Sequence, residues 1–394
     1  MKIDLFKYSD YIKREEHDLA DIKNSFSSGE LSYWSNLDSY MNQEELKLIK
    51  ELATKIREKA EVLVVVGIGG SYMGSKAVIS ALKPYYSKDI EIIYLGTNLD
   101  TSYYQETLEY LKDKDLYLNV ISKSGETLEP SIAFQLVLDL MKEKYDEESL
   151  RERVIVTTSP DRGSLREFAL DKNYQMLSIP NKIGGRFSVF TAVGLLPIAV
   201  AGLDLESFLN GARDGFKLTE DALAYALRRK DMETAGKLIE VFTVYEERLF
   251  YLVEWLKQLF GETQGKNNKA IYPSYMLNTR DLHSMGQYLQ AGKSIAFETV
   301  IYREEEKSLM IDKYNKSLAE INEIAVSSVA KAHDAANRPS LLFKLEKLDE
   351  YNLGKFMQFM FYASIMGALL DDLNPFDQPG VEDYKNLIND SLKS

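Results

Sequence analysis

Residues 61–78, "EVLVVVGIGGSYMGSKAV", leave the backbone few options. A continuous β-branched run that ends in glycines marks a strand buried on both faces, as in a sheet covered by helices on each side. The pattern then alternates. "SKAVISALK" reads as a helix, "IEIIYLG" as a strand, "SYYQETLEYLK" as a helix and "LYLNVI" as a strand. "EPSIAFQLVLDLMKEKY" follows as a helix, with "RVIVTTS" and "YQMLSIP" as strands. Strands alternating with helices predict an α/β fold with a parallel, doubly wound sheet and right-handed crossovers.

A second alternation begins near Lys237, with "KLIEVFTVY" strand-like, "EERLFYLVEWLKQLFGE" helical and "IAFETVIYREE" a strand. Residues 1–60 read as helical, and from about Ile321 onward the pattern is mostly helical. The expected division is a helical N-terminal extension (1–60), two α/β domains (61–205 and 206–350) and a C-terminal helical segment (351–394). No linker is rich in Pro, Gly or Ser and no short-period repeat is present, so the two α/β units are expected to pack closely around a cleft.

The chain has 394 residues, enough for two domains of ordinary size, and 48 basic against 61 acidic residues give a formal net charge of −13. That balance argues against nucleic acid or an anionic membrane as the main partner. An anionic ligand must be drawn by a local cluster against the global field. Without cysteine, thiolate nucleophiles, disulfides and Cys-ligated metals are excluded. His17, His283 and His333 are the only histidines, and no two stand at metal-ligand spacing. The charged N-terminus lacks the apolar core of a signal peptide, and "VFTAVGLLPIAVAGL" is too short to span a bilayer and contains Pro197. It reads as a buried helix, and the protein is expected to be cytoplasmic.

Six segments hold the candidate residues for chemistry. In "LYLNVISKSGETLEP", Ser122, Lys123, Ser124 and Thr127 crowd the point where a strand feeds a helix. Exposed N–H groups and the positive end of the helix dipole make such a point an anion cradle, and Gly125 permits close approach. Plain helix capping needs one hydroxyl rather than three in six residues. Glu126 and Glu129 favour a helix N-terminus but are expected to point away from a phosphate. The turn holding Gly70 and Ser71 fails as a dinucleotide fingerprint because Tyr72 stands at the third glycine position, and no acid ends the next strand. It suits an uncharged polar ligand or a purely structural βα turn equally. Arg186 follows Gly184-Gly185 and precedes the buried helix, so it is either a solvated arginine or a cation held inward.

In "WLKQLFGETQGK", Gln258, Glu262 and Lys266 recur every four residues. An exposed Glu–Lys pair is the plain account, worth about 0.3–0.5 kcal/mol. Gly261 and Gly265 are poor choices for such a surface, and a carboxylate presented on a helix break suits a general base. By residue type alone, His283 in "DLHSMGQ" is an ordinary polar residue and Lys385 in the last helix a solvated one.

Taken in this order, "VVVGIGGSYMG", "NVISKSGETLEP", "GGRFSVFTAVGLLPIA", "WLKQLFGETQGK", "DLHSMGQYLQ" and the "NPFDQPGVE" and "YK" stretch closely resemble the bacterial-type glucose-6-phosphate isomerases, or phosphoglucose isomerases. The Ser-Lys-Ser-Gly segment alone resembles the wider sugar-isomerase (SIS) superfamily. The resemblance spans about Glu61 to Lys385. It implies two three-layer αβα SIS domains, the first binding phosphate, with the C-terminal segment completing the active site. The implied reaction is metal-free and cofactor-free interconversion of glucose 6-phosphate and fructose 6-phosphate through a cis-enediol, in glycolysis and gluconeogenesis. Ser122, Lys123, Ser124 and Thr127 would hold the phosphate. Gly70, Ser71, Gln258 and Gln378 would line the sugar site. Glu262 would be the base, Arg186 the cation facing the enediolate oxygen, and His283 and Lys385 the groups that assist ring opening. The resemblance also implies a homodimer in which His283 enters the partner's site.

The chain is shorter than typical members between "IYREEE" and "KAHDAANRP", and Thr263 stands where the family usually has Ser. A non-catalytic SIS-type sensor of sugar phosphates would keep Ser122 to Thr127 but would not need Glu262, His283 and Lys385 together. A bifunctional glucose and mannose 6-phosphate isomerase remains a second alternative. A nicotinamide oxidoreductase would need the fingerprint that Tyr72 breaks, and a metal-dependent isomerase would need clustered ligands.

Overall fold

A computed structural model of the chain describes residues 1–5, 22, 24, 30–303 and 308–393. The chain opens with a strand, β1 (Lys2–Leu5), where helix was expected. Most of the remaining stretch to residue 29, including His17, lies outside the described residues. The chain forms two compact units, one of residues Asn36–Leu209 and one of Met1–Ser35 with Asn210–Ser394. Each is α/β, on its own five-stranded sheet.

In the Asn36–Leu209 unit, α1 (Gln43–Lys59) begins at Asn42, whose side chain accepts from the Glu45 N–H at 2.7 Å. Its buried Leu46, Ile49, Leu52, Ala53 and Ile56 fall on one face, as helix periodicity requires. Then come β2 (Val62–Val66), α2 (Gly70–Leu82), β3 (Glu91–Leu95), α3 (Thr101–Leu111), β4 (Leu116–Ile121), α4 (Leu128–Lys144), β5 (Val154–Thr158), β6 (Gln175–Ser178) and α5 (Ala192–Val200). The sheet runs β3-β2-β4-β5-β6 and every pairing is parallel. All of β2 and β4 is buried. Val62, Val64 and Val66 join Ala133, Val137 and Met141 of α4 in one core, while Leu63 and Val65 point to the opposite face and are equally buried. This is why the run is apolar without alternation. As expected, the apolar segment after Thr191 is a buried helix, α5, and it packs against α1 and α2.

In the other unit, α6 (Thr219–Thr234) precedes β7 (Ile239–Val244), α7 (Phe250–Gln264), β8 (Tyr272–Leu277) and β9 (Ala296–Arg303). A small hairpin, β10 (Met310–Ile311) and β11 (Lys316–Ser317), leads to α8 (Leu318–Ala335), β12 (Ser340–Leu345), α9 (Glu350–Leu369) and α10 (Glu382–Lys393). The sheet runs β1-β12-β9-β7-β8, parallel except for β1, which pairs antiparallel with β12. After Ile321 the chain is mostly helical, as expected, with β12 as the strand that the pattern did not mark. β8 carries Pro273 and lies at the sheet edge, where a missing N–H is tolerated. Among the described residues no helix is long and apolar enough to cross a membrane.

Candidate active site

In the Asn36–Leu209 unit, strand order reverses between β2 and β4. Ligands of open α/β sheets bind at the carboxyl ends of strands beside such a switch point. Gly70 and Ser71 open α2 just after β2, and Ser122–Thr127 lie in the loop after β4. Gly125 adopts φ +84°, and a Cβ there would meet Leu165 N at 2.6 Å, so only glycine fits. The Ser122 hydroxyl accepts from the Gly125 N–H at 3.0 Å and the Ser124 hydroxyl from the Glu126 N–H at 3.2 Å. Each hydroxyl keeps its own proton to donate. Thr127 is the N-cap of α4 but makes no capping bond with its side chain. Pro130, at the third helical position, has no N–H for it to accept. The first turn of this 17-residue helix is therefore left uncapped by that side chain, an arrangement whose N–H groups and positive dipole end can bind an anion.

Lys123 turns from this loop, its Nζ donating to the carbonyls of Asn181 at 2.6 Å and Ile183 at 3.3 Å. Burial, reinforced by the Arg162 charge, lowers its pKa. The same 181–186 stretch reaches the Gly70 turn. A Cβ on Gly70 would lie 2.0 Å from the Gly185 carbonyl and 2.5 Å from Arg186 N. Ser188 Oγ adds a bond to the Gly70 carbonyl at 3.3 Å. Arg186 is 2% exposed, with its guanidinium carbon 5.1 Å from the centre of the Phe187 ring. It is held inward rather than solvated.

In the other unit, Glu262 sits in the last turn of α7. Gln258 Nε2 donates to its Oε1 at 2.9 Å, and Gln378 Nε2 donates to its Oε2 at 2.6 Å. Each carboxylate oxygen thus has an amide donor, one a helical turn earlier and one 116 residues later in the chain. Gln258 Oε1 is buried and accepts nothing among the described residues. The end of α7 is anchored below: Gln264 Oε1 accepts from Arg229 Nη1 at 2.6 Å, and Gln264 Nε2 donates to the Ser364 carbonyl at 2.9 Å. Arg229 also pairs with Glu240 at 2.6 Å, beneath the Phe260 ring. His283 is exposed on a short 3-10 turn after β8. Lys385 is exposed on α10, 3.5 Å from Glu382.

The structure therefore brings Gln258, Glu262 and Gln378 together, and brings the Gly70 turn to Arg186. Neither His283 nor Lys385 is bonded to Glu262. Sequence reasoning missed the Arg229–Glu240–Gln264 group and the role of Lys266, which reaches Asp377 rather than standing free on a helix surface. No local signal marks these partners, which lie 11 to 111 residues apart. Among the described residues no group of three or more His, Asp or Glu side chains is arranged to hold a metal ion.

A family model described as phosphoglucose isomerase matches residues 50–272. A glucose-6-phosphate isomerase of Shouchella clausii is 42% identical over 379 residues, covering 89% of this chain and 84% of that protein. One from Clostridioides difficile is 39% identical over 396 residues, covering 94% and 88%. Among solved structures, a hypothetical protein of Thermus thermophilus aligns with a TM-score of 0.84 at 27% identity, covering 96% of this chain and 94% of that one.

Proposed function

The chain belongs to the phosphoglucose isomerase family, and we propose that it interconverts glucose 6-phosphate and fructose 6-phosphate with Glu262 as the base. The observation that carries the reading is the Glu262 carboxylate, ordered by an amide donor on each oxygen at the end of a firmly anchored helix. On the open-chain aldose, the carboxylate takes the proton from C2. The electron pair moves toward C1 and its carbonyl oxygen, forming a cis-enediolate. The negative charge on oxygen is met by the Arg186 guanidinium, whose burial supports this role because a cation acts more strongly away from water. The proton of the C2 hydroxyl passes to the C1 oxygen, and the Glu262 carboxylic acid delivers its proton to C1. The result is the ketose, with no net change in atoms or electrons.

Ser122, Ser124 and Thr127, with the α4 N-terminus, hold the phosphate. Lys123, tied to the Asn181 and Ile183 carbonyls, holds the phosphate loop against that stretch and contributes charge. Gly70 and Ser71 line the sugar site with Gln258 and Gln378, and the unpartnered Gln258 Oε1 suits a sugar hydroxyl. His283 and Lys385 assist ring opening. The exposure of His283, beside exposed Met285 and Tyr288, supports a homodimer in which it serves the partner's site. The enzyme is cytoplasmic and acts in glycolysis and gluconeogenesis.

Turnover of fructose 6-phosphate, coupled to glucose-6-phosphate dehydrogenase with EDTA present, tests the activity; absence of turnover by folded protein refutes it. Mixing Glu262→Gln with His283→Ala subunits tests the dimer. Random exchange makes about half the dimers mixed, each with one intact shared site, so about a quarter of wild-type activity returns. Confirmed exchange without regained activity rejects the shared site.

A further inference from the structure

We infer that Lys266 is a positioning residue for the base, acting through Gln378; this rests on the isomerase reading of Glu262. The Lys266 side chain is only 8% exposed. Its Nζ donates to the Asn374 carbonyl oxygen, and to Asp377 Oδ1 at 2.7 Å. The next residue is Gln378, whose amide donates to Glu262 Oε2 at 2.6 Å. The contacts close a ring: from Glu262 along the chain to Lys266, across to residues 374–377, through Gln378 and back to Glu262.

The ring matters because of where Gln378 stands in the chain. It stands outside regular secondary structure at φ −148° and ψ 60°, just before a short 3-10 turn, Pro379–Val381. Upstream, the segment is fixed at Asp371, whose carbonyl accepts from Lys269 at 2.7 Å and whose carboxylate accepts from Lys230. Phe376 stacks on Trp34 with ring centres 4.9 Å apart. The Lys266 bond reaches Asp377 itself, the residue beside Gln378. A lysine suits the place because one ammonium has three donors and can hold a carbonyl and a carboxylate at once, through charge-assisted bonds. Lysines are rarely so covered unless paired.

The test compares Lys266→Met, Gln378→Leu and the double variant in fructose 6-phosphate turnover, alongside backbone hydrogen exchange. Lys266→Met is expected to lower kcat about 10- to 100-fold, the scale for a misplaced catalytic group. KM should change little, because the phosphate is held by other residues. The double variant should lose no more than the worse single, since both act through one contact. Exchange over residues 374–380 should speed up, and Lys266→Arg should recover part of the loss. If Lys266→Met does not fold, Asp377→Ala removes the Oδ1 acceptor of that contact and should shift kcat and exchange in the same direction. Losses that multiply in the double variant, or exchange unchanged over 374–380, overturn the inference. A folded wild-type chain without turnover refutes the isomerase reading instead. The exchange measurement then decides alone, with acceleration supporting the role of Lys266 in ordering this segment and no change overturning it.

Discussion

Replacing Gly70 by alanine adds a single methyl group, and the surroundings leave it no room. The new Cβ would stand 2.0 Å from both the carbonyl carbon and oxygen of Gly185. Carbon contacts settle at about 3.5 Å, so the two backbones must separate by about 1.5 Å. No side-chain rotation relieves the clash, because both partners are main chain. The Gly185–Phe190 turn must move, and Arg186, whose N would lie 2.5 Å from the new carbon, moves with it. Displacing a catalytic group by about 1 Å costs on the order of 10²-fold in rate. Overpacking itself costs about 1–3 kcal/mol, which a core of this size survives. Gly70→Ala should therefore fold, with a thermal midpoint a few degrees lower, and lose about 10²-fold in kcat/KM in the coupled assay. Gly380→Ala is the control, because a Cβ there meets nothing within 4 Å, and it should stay near wild type. Gly70→Ala with wild-type kinetics would show that the approach of the α2 turn to Arg186 has no part in catalysis.

Arg229→Met should destabilise the fold by about 3–5 kcal/mol in urea unfolding, because it strands the fully buried Glu240 carboxylate; a loss below about 1 kcal/mol would contradict the structural role assigned to the pair. Ser124→Ala with Thr127→Ala should weaken inorganic phosphate and substrate together in calorimetry, and unchanged affinity for both would place the cradle elsewhere. Glu152 is held at about 2, against an ordinary 4.5, by hydrogen bonds from Lys59 and Tyr117 and by the Lys55 charge. A depressed carboxyl stabilises the fold fully above its unfolded value and loses that contribution as pH falls through the folded one. The stability gap between wild type and Glu152→Gln should accordingly shrink between pH of about 5 and 2, and a gap independent of pH would refute the assignment.

Much of the fold was legible because its signals are local. Val62–Val66 and Leu116–Ile121 read as doubly buried strands from their apolar runs, and the structure buries every residue of both. The errors fall where a distant partner decides. Lys2–Leu5 is a strand only because Leu341–Lys344 offers it an edge. Ser340–Leu345 is six residues long and follows a helical pattern, so its period gave little to separate strand from helix. Tyr272–Leu277 was hidden by Pro273, which is admissible only because β8 is an edge strand. In the candidate site, the pairing of Gln258 with Glu262 was readable from their four-residue spacing, and the glycine-only position of Gly125 from its place between strand and helix. Gln378 came only from family resemblance, since no pattern links it to a residue 116 positions earlier. Lys266 looked like half of a surface ion pair until the fold brought Asp377 to it.

The most direct test of the central claim is exchange of substrate carbon-bound protons with solvent. Wild-type protein and Glu262→Gln are incubated with glucose 6-phosphate in D2O, and deuterium at C2 of the aldose and C1 of the ketose is followed by NMR, with substrate binding measured in parallel. If Glu262 carries the proton, the wild type introduces deuterium at both positions. Glu262→Gln then binds substrate but exchanges more slowly by a factor on the order of 10²–10⁴. Exchange at the wild-type rate in Glu262→Gln would contradict the account, because another group would then be moving the proton.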